Sequence, residues 1–289
     1  MDVAETEVKS ILTRTSGFLK TVTSHSLQPY RGCAYGSSLC GVGCYVQHNV
    51  WLTKGRSWGG FLEVRTNAAA VYEATVERER RWARKSSGTF GIFMSSATDP
   101  FVPQERRYRI SEAILRTMVD SPPDLLILQT HSARILDCAD LIQTLSGCCD
   151  LRVHMSIETD MVRVPGLPPH ANSIDDRFEA ASSLRARGVT VVITVSPLLP
   201  IADPDSFFER ISNCASAVVI DHFIGGDGSR DGQRTLRTDL PEAIRQIDPK
   251  ALNLEYRDRM VEVARQYLPG KVGVNIDGFA GRYFDTLTR

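Results

Sequence analysis

The sequence predicts an α/β fold built on a parallel sheet, and three observations carry that reading. Short apolar segments alternate with segments of helical periodicity through most of the chain. The apolar segments are near-continuous rather than alternating, as strands buried on both faces require. Five of them stand out, at 90–95, 124–130, 151–157, 189–195 and 217–221, and the loosely alternating 18–26 makes six strands, fewer than the eight that close a (β/α) barrel. The predicted architecture is therefore open.

In chain order, residues 18–26 (Phe-Leu-Lys-Thr-Val-Thr-Ser-His-Ser) are rich in β-formers and predict a strand delivering a cysteine-rich loop. Residues 45–60, with Trp51, Trp58 and interspersed glycines, predict irregular covering structure. Ala68, Val71, Tyr72, Thr75 and Val76 recur at helical spacing within 67–86, and Glu/Arg pairs fill the other face. Helices are expected at 108–119, closed by Pro122-Pro123, and at 136–145, 174–187, 204–213 and 256–267. Gly188 suits the left-handed cap of the fourth of these six helices. Residues 271–275 are a candidate last strand.

The chain has 289 residues with Lys+Arg and Asp+Glu balanced at 34 each, so no global basic field draws in nucleic acid. Residues 1–10 carry acids and no apolar run, and read as neither signal peptide nor membrane segment. Seven cysteines, three of them clustered, read as metal binding in a cytoplasmic protein rather than a disulfide framework. Cys138, Cys148, Cys149 and Cys214 read as small apolar residues. No repeat, low-complexity tract or linker divides the chain, and a single domain over 1–289 is expected. Its core is expected at about 18–222, with 223–289 as an extension shaping the substrate end.

Cys33, Cys40 and Cys44 lie within twelve residues and are interleaved with glycines. Three thiolates on such a segment suit three irons of a [4Fe–4S] cluster, the fourth iron staying open for a ligand. With His48 they also make a Cys3His set suited to structural Zn2+, which would mean a zinc-stabilised RNA-binding module. The downstream pattern favours the cluster. In parallel α/β folds, working residues leave the carboxyl ends of strands. Those ends read Ser95 to Pro100, Gln129 to Ser132, Ser156 to Thr159, Ser196-Pro197 and Asp221 to Phe223, polar throughout but for a few residues.

The Pro29-Tyr30-Arg31-Gly32-Cys33 opening and the Cys44-Tyr45 close resemble the cluster loop of radical S-adenosylmethionine (radical SAM) enzymes. Thr98-Asp99-Pro100, Gln104-Glu105, Arg109 and Pro197 to Pro200 follow in the order of the spore photoproduct lyase-related branch, over roughly residues 28–200. The spacing departs from that family: C-x6-C-x3-C here against the usual C-x3-C-x2-C, so the loop path must differ.

The resemblance implies an open partial (β/α)6 TIM-type barrel, a [4Fe–4S] cluster on Cys33, Cys40 and Cys44, and bound S-adenosyl-L-methionine (SAM). It implies reductive cleavage of SAM to a carbon radical, 5′-deoxyadenosyl or alternatively aminocarboxypropyl, that abstracts hydrogen from a small-molecule substrate. An external electron donor of flavodoxin or ferredoxin type is the implied partner. For SAM binding it points to Tyr45, to Ser95, Ser96, Thr98 and Asp99 for the methionyl amine, and to His131 for the carboxylate. Ser156, Glu158 and Pro197 complete that set. Asp99 before a proline also suits a plain turn, and Ser156 a strand end.

Photoproduct lyases carry a hydrogen-donor cysteine in the block matching residues 95–99, whereas no cysteine lies between Cys44 and Cys138 here. Thymine-dimer repair through that donor is therefore not expected. Asp221 and His222, at the end of the sixth strand, are the expected catalytic acid/base pair. The glycine-rich 221–229 segment, followed by Arg230, Arg234 and Arg237, is expected to face the substrate.

Overall fold

The structure, a computed structural model, describes residues 1–283. Strands β1 (Asp2–Thr6), β2 (Leu12–Arg14), β3 (His25–Leu27) and β4 (Tyr30–Gly32) come first. Two short helical turns, α1 (Leu39–Gly43) and α2 (Val50–Thr53), precede β5 (Phe61–Arg65) and the long α3 (Ala68–Ser87). Then come β6 (Gly91–Met94), α4 (Glu105–Tyr108), α5 (Ile110–Asp120), β7 (Leu125–Thr130), α6 (Ala139–Ser146) and β8 (Asp150–Ser156). The series continues with α7 (Ile174–Ala186), β9 (Thr190–Val195), α8 (Pro204–Cys214) and β10 (Ala217–Ile220). The last elements are α9 (Phe223–Gly226, one irregular turn), α10 (Leu240–Ile247), α11 (Leu254–Tyr267), β11 (Val272–Val274) and α12 (Asn275–Phe279).

The main sheet has eight strands in the order β11-β10-β9-β8-β7-β6-β3-β2. All neighbours pair in parallel except β2 with β3. Edge strands β2 and β11 do not pair with each other, so the barrel is open. A separate three-stranded sheet, β1-β5-β4, holds the start of the cysteine segment. The mostly parallel, open α/β architecture is as the sequence predicts.

Strand alternation divides the side chains between two layers. Val218 and Ile220 of β10 face outward and pack in the large core that includes buried residues of α3, α5, α7, α8 and α11. Phe93, Ile127, Val192, Ala217 and Val219 face inward and, with Phe279 of α12, fill the barrel floor. Local signals fix the helices. Gly88 at φ +80° stops α3, and Asp203 caps α8 by accepting from Ser206 N at 3.1 Å ahead of Pro204.

The first expected strand is corrected: only His25–Leu27 is extended, and residues 17–21 form a 3-10 turn. Gly17 sits at φ +57°, and the turn sends Phe18 to Phe279, ring centroids 5.8 Å apart. Tertiary packing overrides the local β preference there. The candidate strand at 271–275 exists as β11, so the C-terminal third contributes to the sheet as well as to its mouth. Strands β1, β2, β4 and β5 and helices α4 and α10 were not anticipated. Among the described residues no helix is long and apolar enough to cross a membrane.

Candidate active site

One cavity of about 600 Å³ opens at the carboxyl ends of the strands, and every residue predicted for the cluster, SAM and catalysis except His222 lines it. Cys33 follows β4 directly, its N–H donating to Phe61 O at 3.1 Å. Cys40 lies on α1 and Cys44, four residues on, is its extended C-cap residue, so one helical turn separates the two thiols. The longer C-x3-C gap is thus a helical turn, which an irregular-loop reading of the segment misses. Ser38 caps α1 by accepting from Gly41 N at 3.4 Å. A Cβ on Gly41 would strike the Tyr35 carbonyl oxygen, and one on Gly36 would strike the backbone of Gly59, so these glycines let the segment fold back on itself.

Burial, followed by the mutual repulsion of Cys33, Cys40 and Cys44, pushes the Cys33 thiol well up and the Cys44 thiol up to about 12. A compensating cation beside Cys33 and Cys44 would favour their thiolates. Cys138, Cys148, Cys149 and Cys214 lie off the cavity.

The 95–99 turn is tied to the cysteine segment. Ser95, at φ +76°, is a non-glycine residue held in the left-handed region, and its Oγ is buried without a partner. Gln28 donates to Ser96 Oγ at 2.8 Å and accepts from Thr98 N at 3.3 Å, while Thr98 Oγ1 donates to Gly32 O at 2.9 Å. Asp99 braces two strand ends: Oδ1 accepts from Phe101 N (2.8 Å) and Thr130 Oγ1 (2.9 Å), and Oδ2 from His131 N (2.7 Å). Its carboxylate is largely spent on the turn.

His131 Nε2 stands 2.9 Å from Glu158 Oε1, and its Nδ1 lies 3.8 Å from Asp99 Oδ2. Glu158 Oε2 accepts from Arg177 Nη1 at 2.9 Å; the same nitrogen donates to Ser156 O at 2.6 Å. Arg177 Nη2 donates to His170 Nδ1 at 3.2 Å, and His170 Nε2 donates to Met161 O at 2.9 Å. Burial works against charge on both His131 and Glu158. The Cys40, Asp99 and Glu158 groups nevertheless raise the His131 pKa well above its ordinary value. Arg177 and His131 hold Glu158 well below the usual carboxylate range. Both Glu158 oxygens are thereby occupied.

Deeper in, Gln129 Nε2 donates to Ser156 Oγ (2.6 Å) and Thr194 Oγ1 (3.0 Å), leaving Gln129 Oε1 buried without a partner. Strand parity with inward Ile127 could have identified Gln129 from the sequence.

At the far end Asp221 Oδ2 accepts from Ser196 Oγ at 2.8 Å. With its amide turned to satisfy its neighbours, Asn275 donates to Asp221 Oδ1 at 3.1 Å. Burial pushes the Asp221 carboxyl up to about 7; Ser196 and Arg257 pull it down by less, and Asp227 adds to the rise. A side chain on Gly226 would collide with that carboxylate.

His222 is a correction. It is fully buried off the cavity, its Nδ1 accepting from Ile224 N and its Nε2 donating to Ala251 O, both at 3.1 Å. Both ring nitrogens are committed, so His222 caps and packs α9. Successive strand residues face opposite sides, so Asp221 and His222 could not both reach the cavity. Of the three arginines, Arg234 lines the cavity; Arg230 and Arg237 are exposed outside it.

No family model matches the chain. It is 22% identical over 242 residues to the uncharacterized protein MJ0683 of Methanocaldococcus jannaschii, covering 83% of this chain and 85% of that one. Its structure is similar to spore photoproduct lyase complexed with dinucleoside spore photoproduct: TM-score 0.64, 12% identity, 94% of this chain and 81% of that one. A variant of that lyase with bound AdoMet and the dinucleoside photoproduct gives TM-score 0.61 and 13% identity, over 94% and 80% of the two chains. The eight-stranded, mostly parallel open sheet with a cavity at its carboxyl ends thus has the fold of spore photoproduct lyase.

Proposed function

We propose that the chain is a radical SAM enzyme, with Cys33, Cys40 and Cys44 holding a [4Fe–4S] cluster and SAM lying between them and the strand ends. The observation that carries this reading is the convergence of three thiols, from two elements, on one cavity that the polar strand ends also line. The donor set fits: the thiols share a site, and the glycines beside them leave room for close backbone approach. Similarity of fold to a lyase with bound AdoMet supports the same reading.

When bound and reduced, a cluster of this kind supplies the electron that splits a carbon–sulfur bond of SAM homolytically, and the carbon radical, 5′-deoxyadenosyl on this reading, takes hydrogen from the substrate. The chain's own residues orient and shield. Ser95 Oγ and Gln129 Oε1, polar and unpartnered on the wall, are free to meet a ligand amine or hydroxyl. The Ser95 and Ser96 carbonyls serve the methionyl amine better than Asp99, whose oxygens are committed. Asp221, with Ser196, holds or moves a proton at the substrate end. The floor of Phe93 and Phe279 keeps water from below. No fourth cysteine lines the cavity, so a thiol hydrogen donor is not part of the proposal. The electron comes from an external carrier of flavodoxin or ferredoxin type, and the substrate is a small molecule.

The zinc alternative needs His48, whose Nε2 is buried and unpartnered but which does not line the cavity. Anaerobic reconstitution tests the two readings. The protein should turn brown with about four irons per chain. Cys33→Ala, Cys40→Ala and Cys44→Ala should each lose the colour while Cys214→Ala keeps it. Stoichiometric zinc without iron would overturn the proposal.

A further inference from the structure

We infer that Arg234 forms an oxyanion subsite at the end of the cavity near Tyr45, and that the ligand seated there carries a carboxylate or phosphate group. Arg234 is the one Lys or Arg among the described residues lining the cavity. Its guanidinium makes one hydrogen bond, Nη1 donating to the Asp227 carbonyl at 3.2 Å, and no ion pair among the described residues. The remaining fork of N–H donors is unclaimed, and a planar oxyanion is what that fork matches.

The arginine is held in place without use of its charge. Asp227 Oδ1 accepts from Ser229 N at 2.8 Å and Ser229 Oγ at 2.5 Å, and its Oδ2 from Thr235 N at 2.8 Å and Thr235 Oγ1 at 3.0 Å. The Asp227 carboxylate is therefore spent on the loop that flanks Arg234 on both sides. The Arg234 N–H donates to Ser229 Oγ at 3.1 Å. Gly228, at φ +68°, presents bare backbone to the guanidinium; a Cβ there would stand 3.2 Å from Nη1. Such a located but unpaired cation is a preorganised receptor.

Its surroundings set the polarity of the ligand. Tyr45, Asp221, Ser196 and the three thiols line the same cavity as Arg234. A ligand bound by Arg234 at its anionic end thus has the rest of its length beside Asp221, Ser196 and the thiols. The inference concerns the same cavity as the proposed function, and rests on that reading only where SAM is used as a probe.

Titration calorimetry tests it with inorganic phosphate and acetate on wild type, Arg234→Gln and Arg234→Lys, with near-ultraviolet circular dichroism to confirm native packing. Decarboxylated SAM is run against SAM to separate the two sources of an oxyanion. Arg234→Gln should weaken phosphate binding about tenfold, the scale of one charge-assisted pair, and Arg234→Lys by less. Unchanged SAM affinity in Arg234→Gln assigns the subsite to a second ligand. If SAM weakens while decarboxylated SAM does not, the oxyanion is the methionyl carboxylate, and the subsite still stands. Equal phosphate and SAM affinities in wild type and Arg234→Gln would overturn it. A colourless, zinc-containing protein that still binds phosphate through Arg234 would sink the radical reading and leave this one intact.

Discussion

Replacing Arg177 with Met tests the buried charge network behind His131. Arg177 and Glu158 are 2% and 3% exposed, so the substitution removes one of the carboxylate's two partners and leaves it with His131 alone where water does not reach. Breaking a buried pair in this way costs about 3–5 kcal/mol. A second route gives a similar figure. If Glu158 escapes by taking a proton on folding at pH 7, the cost from an unfolded pKa of about 4.3 is about 1.4 kcal/mol per unit, or roughly 3.7 kcal/mol.

The sign with pH follows. In wild type the Glu158 pKa is depressed, so its stabilisation is fully present above about pH 4.3 and does not vary between pH 5 and 7. In the variant the folded pKa is raised, so stability recovers as pH falls towards 4.3. The gap between the two proteins should shrink from about 4 kcal/mol at pH 7 to about 1 kcal/mol at pH 5. Urea unfolding followed by tryptophan fluorescence reads it. At about 3 kcal/mol per molar the midpoint should drop by about 1 M at pH 7. Adding Glu158→Gln removes the stranded charge and should restore about half of the loss or more. A midpoint drop under about 0.3 M, or a gap that does not change with pH, would refute the reasoning.

Two further outcomes are expected. Asp221 has a folded pKa of about 7 against about 3.9 unfolded, so the folded state holds an extra proton between those values and stability falls as pH rises through that window. Asp221→Asn should flatten the thermal midpoint between pH 5 and 7, and an unchanged slope would show that another group titrates. His222→Ala leaves the Ile224 N–H and the Ala251 carbonyl without their partner, and should cost about 2–4 kcal/mol with SAM affinity unchanged. Full stability with lost SAM binding would restore His222 to the site.

The central strands were legible because burial on both faces leaves a continuous apolar run, as in Val191 to Val195, that little else produces. Most of the polar strand ends were legible because they interrupt that run at its carboxyl end, and the thiols because three of them cluster within twelve residues. Residues 17–21 were not, because a β-rich segment is turned by Gly17 and by contacts with Phe279, far along the chain. The three-residue strands β2 and β4 are too short for periodicity to register. Asp221 and His222 were both named although alternation allows one; carrying parity up from Val219 would have chosen Asp221. The Glu158–Arg177–His170 chain was out of reach, since Arg177 sits on a helix whose face looks unremarkable until it is packed on β8.

The contact of Phe18 with Phe279 bears on the order in which the molecule is made. It joins the two ends of an open sheet through side chains rather than a hydrogen-bonded ladder, and its partners stand near opposite ends of the chain. Contacts of such sequence separation form late, because the whole intervening loop must first be closed. During synthesis the thiol-bearing turn emerges early, while the ring that seals the chamber beneath it emerges among the last residues. The half of the chamber that bears the thiols is therefore synthesised before the half that closes its floor.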